Sequence, residues 1–600
     1  MRKIIFTLSM ILLTTISCND ENFLDQFPET SIGAENFFKT ENDLRMYMYN
    51  LYSFPTISMY TEDGKVTTDN AASTAISEIK SIMLHSNPTS ETFGAGWSWG
   101  TLRSINFFLH YFNNNNLSED VLNHYEGLAR FFRARFYMNM VKRFSDVPWY
   151  DQLIGTADKE LLYKERDPRS LVVEKIFEDY EFSSKNVKSS TLTGEVNKWV
   201  VLSYMARDAL YEGTFRRYHP ELQLDATAEV YLKIAQDAAK EIIDNGGFDI
   251  YSTGDFDSDY SSLFNSTNLS NNSEIIFANS YESGIRNNEW WNFFQNYEIS
   301  PSRDLVHIYL MTDGSFFSSQ QDYEKKLFVD EFKDRDPRLK QTIAYPGWIY
   351  GRTGTPYVFP GELSRFFTGY HLIKGFENHT DQGRTYSLDN PIIRYAEVLL
   401  TYAEAKSEME QLTQLDLDIT VNKLRHRVGM PEMFLNPNVD PIKEAKYSNV
   451  KISSQWKEIL EIRRERRVEL AMEGFRFDDL MRWKAGKALE KPPVGLYIPG
   501  PGNYDMTGDD IPDIKILALS DDIPPTIGER EKNELGVTLL YYRIGPVGSN
   551  AEVYVTEDEK GYIVGEENRG TFVEPKYYYK PIPYSQTILN PNLKQIFGWE

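Results

Sequence analysis

Oxygen-bearing side chains recur at alternate positions in one acidic segment near the C-terminal end of the chain. The residues that would supply ligands are Asp505, Thr507, Asp509 and Asp513. This spacing is typical of calcium loops, in which carboxylate and hydroxyl oxygens alternate along the backbone. Asp510 stands where such a loop has glycine, and no glutamate closes the loop. The segment therefore fits two interpretations, a calcium site and an acidic surface turn.

Known catalytic motifs are missing from the sequence. It contains no Walker-type phosphate loop, no dinucleotide glycine fingerprint, no HExxH zinc helix and no GxSxG nucleophile elbow. The glycines at 94 and 96 have the wrong spacing for a phosphate cradle, and the 8 histidines are scattered. Two carboxylates that meet in space are enough to hydrolyse a glycosidic bond. We predict a protein without catalytic activity, and a glycoside hydrolase stays open as the alternative.

The single cysteine, Cys18, follows a signal-like N-terminus. Arg2 and Lys3 precede an uncharged apolar run, residues 4–16, which is too short for a membrane-spanning helix of about 20 residues. The layout fits a plain signal peptide with an incidental thiol, and it also resembles a bacterial lipoprotein signal. Because an exported protein with one thiol has no disulfide partner, we predict removal of residues 1–17 and lipid attachment to Cys18.

Residues 19–22 (NDEN), directly after the cysteine, resemble the acidic tag that sends some Gram-negative lipoproteins to the outer face of the outer membrane. Two or three buried acyl chains hold a protein firmly to a bilayer. We therefore predict that the mature chain, residues 18–600, is lipid-anchored in the outer membrane and faces the cell exterior.

Charge excludes one class of partner. The chain carries 88 acidic and 64 basic residues, a formal net charge of −24. Proteins bind nucleic acids and anionic lipid surfaces chiefly through Lys and Arg, so neither is an expected partner. Aromatic residues are abundant, with 38 Tyr, 36 Phe and 10 Trp. Their flat apolar faces suit amphipathic ligands such as sugars, although most of them will pack in the core.

Long amphipathic patterns predict a helical frame. Apolar residues recur at helical spacing, with alanine at close-packing positions such as Ala396, Ala403 and Ala405. The predicted helices cover about 101–116, 119–143, 169–186, 197–217, 227–245, 391–411, 417–428 and 455–485. Antiparallel helix pairs of this kind are typical of tetratricopeptide-like solenoids, although no regular repeat length is visible.

Two long excursions interrupt this frame. Between about 247 and 390 the chain is rich in Gly, Ser, Asn, Asp and aromatics, with short runs such as 274–277 that fit strands, and a block from about 487 is rich in Pro and Gly. Long irregular segments carried by a rigid scaffold are often functional. We predict one body in which the scaffold spans about 40–246 and 391–486, a ligand-side lobe spans 247–390, and an irregular C-terminal part spans 487–600.

Several segments occur in the order that is typical of one protein family. They are 144–148 (FSDVP), 334–339 (DRDPRL), 390–405 (NPIIRYAEVLLTYAEA), 422–429 (NKLRHRVG), 465–483 (ERRVELAMEGFRFDDLMRW) and 581–595, which contains PIP and NPNL. Together they resemble the SusD/RagB family of outer-membrane nutrient-binding lipoproteins, over nearly the whole chain. Ser145 stands where the family's FGDVP turn has glycine.

The charged segment within this pattern has a structural explanation. Arg463 and Arg467 share a helix face, as do Glu465 and Glu469, and Arg466 and Glu469 also lie within one turn. We expect ladders of ion pairs among packed helices here, and hence a role in the scaffold rather than in ligand binding.

The resemblance implies a mainly α fold, a tetratricopeptide-like helical-repeat scaffold with long irregular excursions and a few short strands. It implies capture of oligosaccharides for a partner, a SusC-like TonB-dependent transporter of the outer membrane, over whose mouth the lipoprotein lies as a lid. Members on the RagB side of the family take peptides, so peptide stays as an alternative cargo. A purely structural protein built on helical repeats is the third interpretation.

The resemblance also implies a ligand surface beside the N-terminal helices. The matching residues in this chain are Trp97 and Trp99, and we expect Asp69 and Asn70, in the preceding loop, to hydrogen-bond the ligand. Core packing is the alternative role for either tryptophan.

A second aromatic pair, Trp290 and Trp291, lies in the irregular lobe. Adjacent side chains point to opposite sides of an extended segment, so at most one of the two is expected to face a ligand.

Overall fold

A computed structural model describes residues 37–54, 67–73, 76–113, 116–287, 299–351, 353–356, 368–376, 378, 387–566 and 568–600. Cys18 with the predicted signal segment, and the pair Trp290 and Trp291, lie outside these ranges, so the expectations for them stay predictions. None of the helices within the described ranges is both long and apolar enough to cross a lipid bilayer.

Helices form most of the regular structure. The α-helices are α1 Glu41–Tyr49, α2 Glu78–Leu84, α3 Ser90–Phe93, α4 Gly100–Tyr111, α5 Glu119–Phe144, α6 Lys159–Leu162, α7 Arg169–Asn186, α8 Lys198–Tyr218, α9 Ala228–Asn245, α10 Asp259–Ser262, α11 Arg303–Ile308, α12 Phe328–Glu331, α13 Pro337–Thr342, α14 Tyr395–Glu408, α15 Gln414–Asp418, α16 Val421–Arg427, α17 Pro441–Lys446, α18 Trp456–Glu469, α19 Arg476–Arg482 and α20 Tyr584–Leu589. Short 3-10 helices cover Pro220–Leu222, Asp225–Thr227, Phe317–Ser319, Tyr323–Lys325, Ser448–Ile452, Gly486–Glu490, Ile527–Glu529 and Lys576–Tyr578.

The longest helices begin and end where local chemistry favours it. In α5, Glu119 and Asp120 lie in the first turn and Lys142 and Arg143 in the last, so both ends complement the helix dipole. In α8, the Asn197 side chain accepts hydrogen bonds from the first backbone amides of the helix, which would otherwise have no partner.

Successive helices pack side by side and build the predicted scaffold. Contacts run from α4 to α5, from α5 to α7, from α8 to α9, and on through α14 to α18. Ala396, Ala403 and Ala405 are fully buried in α14. A Cβ on Gly213 of α8 would lie 2.8 Å from the Leu232 side chain of α9, so these two helices approach closely. The mainly α, helical-repeat architecture is confirmed.

Three predicted helices are divided in the structure. The 391–411 segment begins as strand Asn390–Arg394, because it pairs with strand Ile275–Asn279 and the helix starts only at residue 395. The 417–428 segment is two short helices, α15 and α16. The 455–485 segment breaks between α18 and α19, where Met472 and Gly474 both have positive φ, which a continuing helix does not allow.

The strands are short and, apart from β1, lie in the two excursions and at their borders. They are β1 Ala71–Ser73, β2 Ile275–Asn279, β3 Ile299–Pro301, β4 Ile349–Tyr350, β5 Thr355–Pro356, β6 Asn390–Arg394, β7 Val494–Ile498, β8 Gly502–Tyr504, β9 Ile514–Leu517, β10 Leu540–Gly545, β11 Val553–Tyr554 and β12 Gly561–Val564. The largest described sheet has the order β11-β10-β9-β8, and two-stranded pairs join β1 with β3, β7 with β12, β2 with β6 and β4 with β5. The predicted strand at 274–277 corresponds to β2.

Two hydrophobic cores follow from this arrangement. One lies among the scaffold helices and the C-terminal segment, and the other lies under the excursions and includes Val468, Ala471 and Met472. Residues of α18 and its C-terminal turn enter both cores, so this helix joins the scaffold to the excursions.

Candidate ligand-binding pocket

A cleft of about 580 Å³ opens beside the N-terminal end of α4, a volume in the range of small-molecule sites. Its walls come from the 97–106 segment, the 148–163 segment and the C-terminal segment around α20. The lining residues are Trp97, Trp99, Gly100, Leu102, Arg103, Asn106, Pro148, Tyr150, Gln152, Leu153, Ile154, Leu161, Leu162, Tyr163, Gln586, Leu589, Asn590 and Leu593. We call this cleft the tryptophan pocket.

The loop that carries the tryptophans is fixed against the scaffold. A Cβ on Gly94 would lie 2.3 Å from the Pro583 Cα atom, so only glycine lets the loop approach the C-terminal segment this closely. Gly96 has a φ of +79°, a conformation that glycine adopts at little cost. Arg143 Nε donates a hydrogen bond of 3.1 Å to the carbonyl of Ala95. The backbone directly before Trp97 is therefore held in place by contacts with the C-terminal segment and with α5.

Trp97 and Trp99 are both half-buried and lie edge to face, with ring centroids 5.2 Å apart at an interplanar angle of 80°. Trp97 packs against Phe144 at 5.0 Å, and Trp99 packs against Tyr150 at 5.3 Å. Each ring thus contacts neighbouring aromatic residues on one side and lines the cleft on the other, so core packing does not remove either tryptophan from the cleft.

Asn106 places an unpartnered acceptor in the wall of the pocket. Its Nδ2 atom donates to the carbonyls of Tyr150 at 3.0 Å and Gln152 at 3.1 Å. Because both amide hydrogens are used, the orientation of the side chain is fixed, and Oδ1 is buried without a hydrogen-bond partner among the described residues. Buried polar atoms in native proteins are almost always paired, so this oxygen calls for a donor that the described residues do not supply.

Other polar groups of the pocket are largely occupied. Arg103 is exposed at the rim and donates 3.2 Å to the carbonyl of Ile154. The Tyr150 hydroxyl donates 3.1 Å to the carbonyl of Leu161, and burial raises the pKa of Tyr150 to about 12, so it stays protonated. Asn590 donates 2.9 Å to the carbonyl of Lys164. Apart from Gln152 and Gln586, the remaining lining residues are apolar or aromatic.

Comparisons with known proteins identify the group to which this chain belongs. The family model described as SusD family matches residues 259–599. The chain belongs to the SusD family. A curated relative, SusD-like protein P2 of Formosa agariphila, is 23% identical over 521 residues, which cover 82% of this chain and 93% of that protein.

Solved structures of SusD-like proteins share this fold. A SusD-like carbohydrate-binding protein from Bacteroides fragilis superposes with a TM-score of 0.65 at 22% identity and covers 93% of this chain and 100% of that chain. A SusD-like carbohydrate-binding protein from Bacteroides vulgatus gives a TM-score of 0.56 at 14% identity and covers 94% of this chain and 100% of that chain. The SusD-like fold therefore extends well beyond the segment that the family model matches.

Asp69 and Asn70 do not line the tryptophan pocket of this SusD-family chain. The structure therefore does not bring them together with Trp97 and Trp99, and a role of either in ligand binding stays a prediction. Both are buried. Asp69 accepts two hydrogen bonds from Arg476, at 2.7 and 2.8 Å, and Asn70 accepts one from Arg467 at 2.8 Å. Burial would raise the pKa of Asp69, but Arg467, Arg476 and Lys446 more than offset this and hold the pKa well below its usual range. Asp69 and Asn70 thus join the loop that precedes β1 to the 465–483 segment.

The charged signature forms a buried network, as expected of a scaffold, but the pairs differ from the predicted ladders. Glu469 contacts three arginines from other elements rather than Arg466 of its own helix. Arg427 Nη2 lies 2.6 Å from it, and Arg338 Nη1 and Arg394 Nη1 each lie 3.0 Å from it. Arg466 pairs instead with Asp479 of α19, at 3.0 Å. These buried ion pairs therefore join segments that are far apart in the sequence. We call the set of buried ion pairs centred on the 465–483 segment the arginine network.

The predicted calcium loop is organised by its own backbone. Asp505 accepts hydrogen bonds from the amides of Thr507, Gly508 and Asp510 at 2.7–2.9 Å, and Asp513 Oδ2 accepts two more, from the amides of Met506 and Thr507. Within the described ranges, no three His, Cys, Asp or Glu side chains are grouped so as to hold a metal ion. These hydrogen bonds fit an acidic turn, and calcium binding by Asp505, Thr507, Asp509 and Asp513 stays a prediction.

Two walls of the pocket were not predicted as ligand-binding segments. Residues 148–163 begin at the end of the FSDVP turn. Residues 586–593 contain the NPNL segment, which supported the family resemblance but was not predicted to contact a ligand. Their residue types are ordinary for a packed surface. The feature that marks them in the structure is the exposure of large apolar side chains. Leu162 and Tyr163 are 46% and 50% exposed and Leu589 is 67% exposed, and exposed apolar patches often mark binding surfaces.

Proposed function

We propose that this SusD-family protein is a lipid-anchored, cell-surface binding protein that captures oligosaccharides in the tryptophan pocket and passes them to a SusC-like TonB-dependent transporter. The observation that carries the proposal is the combination in one cleft of two half-buried indole rings, at 5.2 Å from each other, with a buried acceptor, Asn106 Oδ1, that has no partner in the described structure.

The chemistry of a pyranose matches this combination. The axial C–H groups of a sugar form an apolar face that packs on an aromatic ring, while its hydroxyls need hydrogen-bond partners when they leave water. In the proposed complex one sugar ring contacts Trp97 or Trp99, and a hydroxyl donates to Asn106 Oδ1. Arg103 and Gln152, at the same cleft, supply further polar groups at its rim.

The lining of the pocket favours binding over hydrolysis. Glycoside hydrolases use a pair of Asp or Glu side chains that flank the scissile bond. Among the described residues that line the tryptophan pocket there is no Asp or Glu. A ligand held there has no carboxylate pair beside it, so the glycoside hydrolase alternative has no support from this cleft.

The relatives support the cargo, and the sequence supports the location. Two of the solved relatives are described as carbohydrate-binding proteins. The lipoprotein-like segment that ends at Cys18 would confine the protein to the membrane that holds the transporter. Tethering of this kind raises the effective concentration of the two partners and allows a modest interface to stay assembled.

A second cargo, apolar peptides, is favoured by one specific feature of the pocket. Six leucines and one isoleucine line it, namely Leu102, Leu153, Ile154, Leu161, Leu162, Leu589 and Leu593. Such a surface buries leucine-like side chains well. A peptide would also place backbone N–H groups near Asn106 Oδ1.

Calorimetric titration of the purified mature chain with a panel of neutral oligosaccharides and of short peptides tests the proposal and separates the two cargoes. Replacement of Trp97 or Trp99 by alanine is expected to weaken binding by about tenfold to a hundredfold, roughly 1–3 kcal/mol. Trp456→Ala is the matched control, because Trp456 is also half-buried but does not line the pocket. Unchanged affinity in both pocket variants would show that the ligand binds elsewhere.

The tether and the partner are tested in cells. Cys18→Ala is expected to release the protein from the membrane fraction without changing its ligand affinity. The unmodified chain, purified in detergent, is expected to bring a TonB-dependent transporter with it. Membrane association of the Cys18→Ala variant, or purification of the intact lipoprotein without a transporter, would contradict this part of the proposal.

A further inference from the structure

A second cavity, of about 450 Å³, shares no lining residue with the tryptophan pocket. It lies where the C-terminal end of α5 meets α2, α8, α19 and the 577–580 segment. Its lining residues are Ser77, Glu78, Ile79, Asn139, Lys142, Arg143, Tyr211, Phe477, Asp478, Met481, Tyr577, Tyr578 and Lys580. We call it the Lys580 cavity.

Two of the three cations in this cavity have anionic partners. Arg143 Nη1 lies 2.9 Å from Glu78 Oε2, and its Nε is used by the carbonyl of Ala95. Lys142 Nζ lies 2.9 Å from Asp478 Oδ2 and 3.2 Å from Asp208 Oδ1. Lys142 and Arg143 are therefore each held at ion-pair distance by carboxylates, which leaves one remaining cation of the lining.

Lys580 is that cation. Its backbone amide donates 2.7 Å to the carbonyl of Arg143, which fixes the residue beside the end of α5. Its Nζ atom is shielded from solvent and has no hydrogen-bond partner among the described residues. An ammonium group that is removed from water without a partner is unfavourable, so its position calls for an anionic or polar partner that the described residues do not supply.

Aromatic rings complete the wall around this amine. The aromatic lining residues are Tyr211, Phe477, Tyr577 and Tyr578. Lys142 Nζ lies over the Tyr211 ring, 4.5 Å from its centroid. Such rings bury the apolar part of a small ligand while a single charged group meets a counter-charge.

We propose that the Lys580 cavity is a second ligand site, which binds a carboxylate group through the Lys580 ammonium. A single negative charge fits, because Lys580 is the one cation of this lining that has no ion-pair or hydrogen-bond partner among the described residues, whereas a doubly charged phosphate would need two. Uronic acid residues of an acidic glycan and the C-terminal carboxylate of a peptide offer the same group. The site is independent of the tryptophan pocket and of the cargo proposed for it.

Proton linkage follows from the surroundings of Lys580. Burial lowers the pKa of Lys580 to about 8, Glu78 opposes this shift, and Arg143 adds to it. The other charged or titratable groups that face the cavity are Lys142, Asp478, Tyr211, Tyr577 and Tyr578. Below pH 8 the amine is protonated and attracts a carboxylate, so affinity is expected to fall as the pH rises above about 8.

Calorimetric titration with two acids and their neutral analogues tests the site in the mature chain. The probes are glucuronate against glucose, and N-acetylalanine against N-acetylalanine amide, so the two arms also separate sugar acids from peptide termini. We expect at least one acid to bind and its neutral analogue not to bind. Lys580→Met is expected to weaken that binding by about tenfold or more, while Lys580→Arg retains part of it.

A second variant is expected to raise the affinity for the acid instead of lowering it. Glu78→Gln removes a carboxylate that acts on Lys580 and pairs with Arg143, so it is expected to strengthen binding of the acid. This readout does not depend on the yield of folded Lys580→Met. Trp456→Ala is the control for both cavities. Absence of acid binding to the unmodified chain, equal binding of the neutral analogues, or unchanged affinity in Glu78→Gln and Lys580→Met would each overturn the proposal.

Discussion

The arginine network and the tryptophan pocket use polar groups in opposite ways. In the network, Glu469 is fully buried and meets three guanidinium groups within 3.0 Å, so its charge is neutralised by the protein itself. In the pocket, Asn106 is buried to a similar degree, but its Oδ1 atom has no partner among the described residues. A satisfied polar group stabilises a fold, whereas an unsatisfied one beside a cleft marks a place for a ligand.

The two regions also differ in how visible they are in the sequence. The segment that the family model matches, residues 259–599, contains most of the arginine network. The two tryptophans and the 148–163 wall precede this segment, and only the α20 wall falls inside it. In this chain the segment that the family model matches thus contains most of the ion pairs that hold the scaffold together. The surface proposed to determine ligand specificity, the tryptophan pocket, lies mostly outside that segment.

The largest effect is expected from breaking the network at its centre. Glu469→Ala leaves Arg338, Arg394 and Arg427 without their shared counter-charge in a buried site, and removal of one partner from a buried ion pair costs about 3–5 kcal/mol. We expect urea denaturation, followed by far-UV circular dichroism, to show a lower transition midpoint by that order of free energy, or a chain that does not fold.

The control for this prediction is an exposed ion pair. Lys185 and Glu181 are 67% and 62% exposed in their side chains, and exposed pairs contribute little to stability. Glu181→Ala is therefore expected to unfold at the same urea concentration as the unmodified chain. If Glu469→Ala behaved in the same way, the arginine network would not be what holds these segments together.

Acid should weaken the network before it affects the pocket. Burial opposes ionisation of Glu404, but Arg482, Arg466 and Arg463 more than offset this and lower its pKa from 4.5 to about 2. Because the pKa is lower in the folded than in the unfolded chain, ionised Glu404 contributes stability above about pH 4.5, and this stability is lost as the pH falls toward 2. The contribution is on the order of 3 kcal/mol.

The measurement is the free energy of unfolding from pH 7 down to the acid limit of folding. Glu404→Gln is expected to be less stable at pH 7 and to show a shallower loss of stability between about pH 4.5 and 2. Identical pH profiles for the variant and the unmodified chain would show that Glu404 does not carry this dependence.

Local patterns predicted the helices well, and distant partners explain what they missed. Helix Arg169–Asn186 begins and ends where its apolar periodicity predicts. Residues 391–394 are predicted as helix but form most of strand Asn390–Arg394, because an apolar run fits both structures and the strand partner at Ile275–Asn279 is far away in sequence. The role of Asp69 was missed for the same reason, since its partner Arg476 lies 407 positions away.

Ligand contacts are less predictable than the scaffold for a related reason. The tryptophans could be selected because large aromatic side chains are informative by type. The acceptor Asn106 could not, because its importance depends on two carbonyls, of Tyr150 and Gln152, that occupy its amide hydrogens. No feature of the sequence alone distinguishes it from the other asparagines.

Asn106→Leu should therefore separate the two regions in a single measurement. The variant loses the free acceptor and the two hydrogen bonds that hold the pocket wall, so ligand affinity is expected to fall by about tenfold, roughly 1.4 kcal/mol, with a stability loss of about 1–3 kcal/mol. Asn449→Leu is the matched control, because Asn449 Nδ2 also donates to a backbone carbonyl, that of Trp483 at 2.8 Å, away from the pocket. An equal affinity loss in both variants would attribute the effect to stability alone.

The smallest effect is expected in the acidic turn, which resembles the network in having its charge satisfied internally. Asp505→Ala removes the acceptor of three backbone amides, whereas Asp509→Ala removes the acceptor of one, that of Ile511. We expect a cost of about 1 kcal/mol for the first and less for the second, with faster hydrogen exchange confined to residues 507–511. Since the Asp505 oxygens already accept amide hydrogens, millimolar calcium should leave the thermal midpoint of the unmodified chain unchanged. A calcium-dependent rise that disappears in Asp505→Ala would instead assign a cation site to this turn.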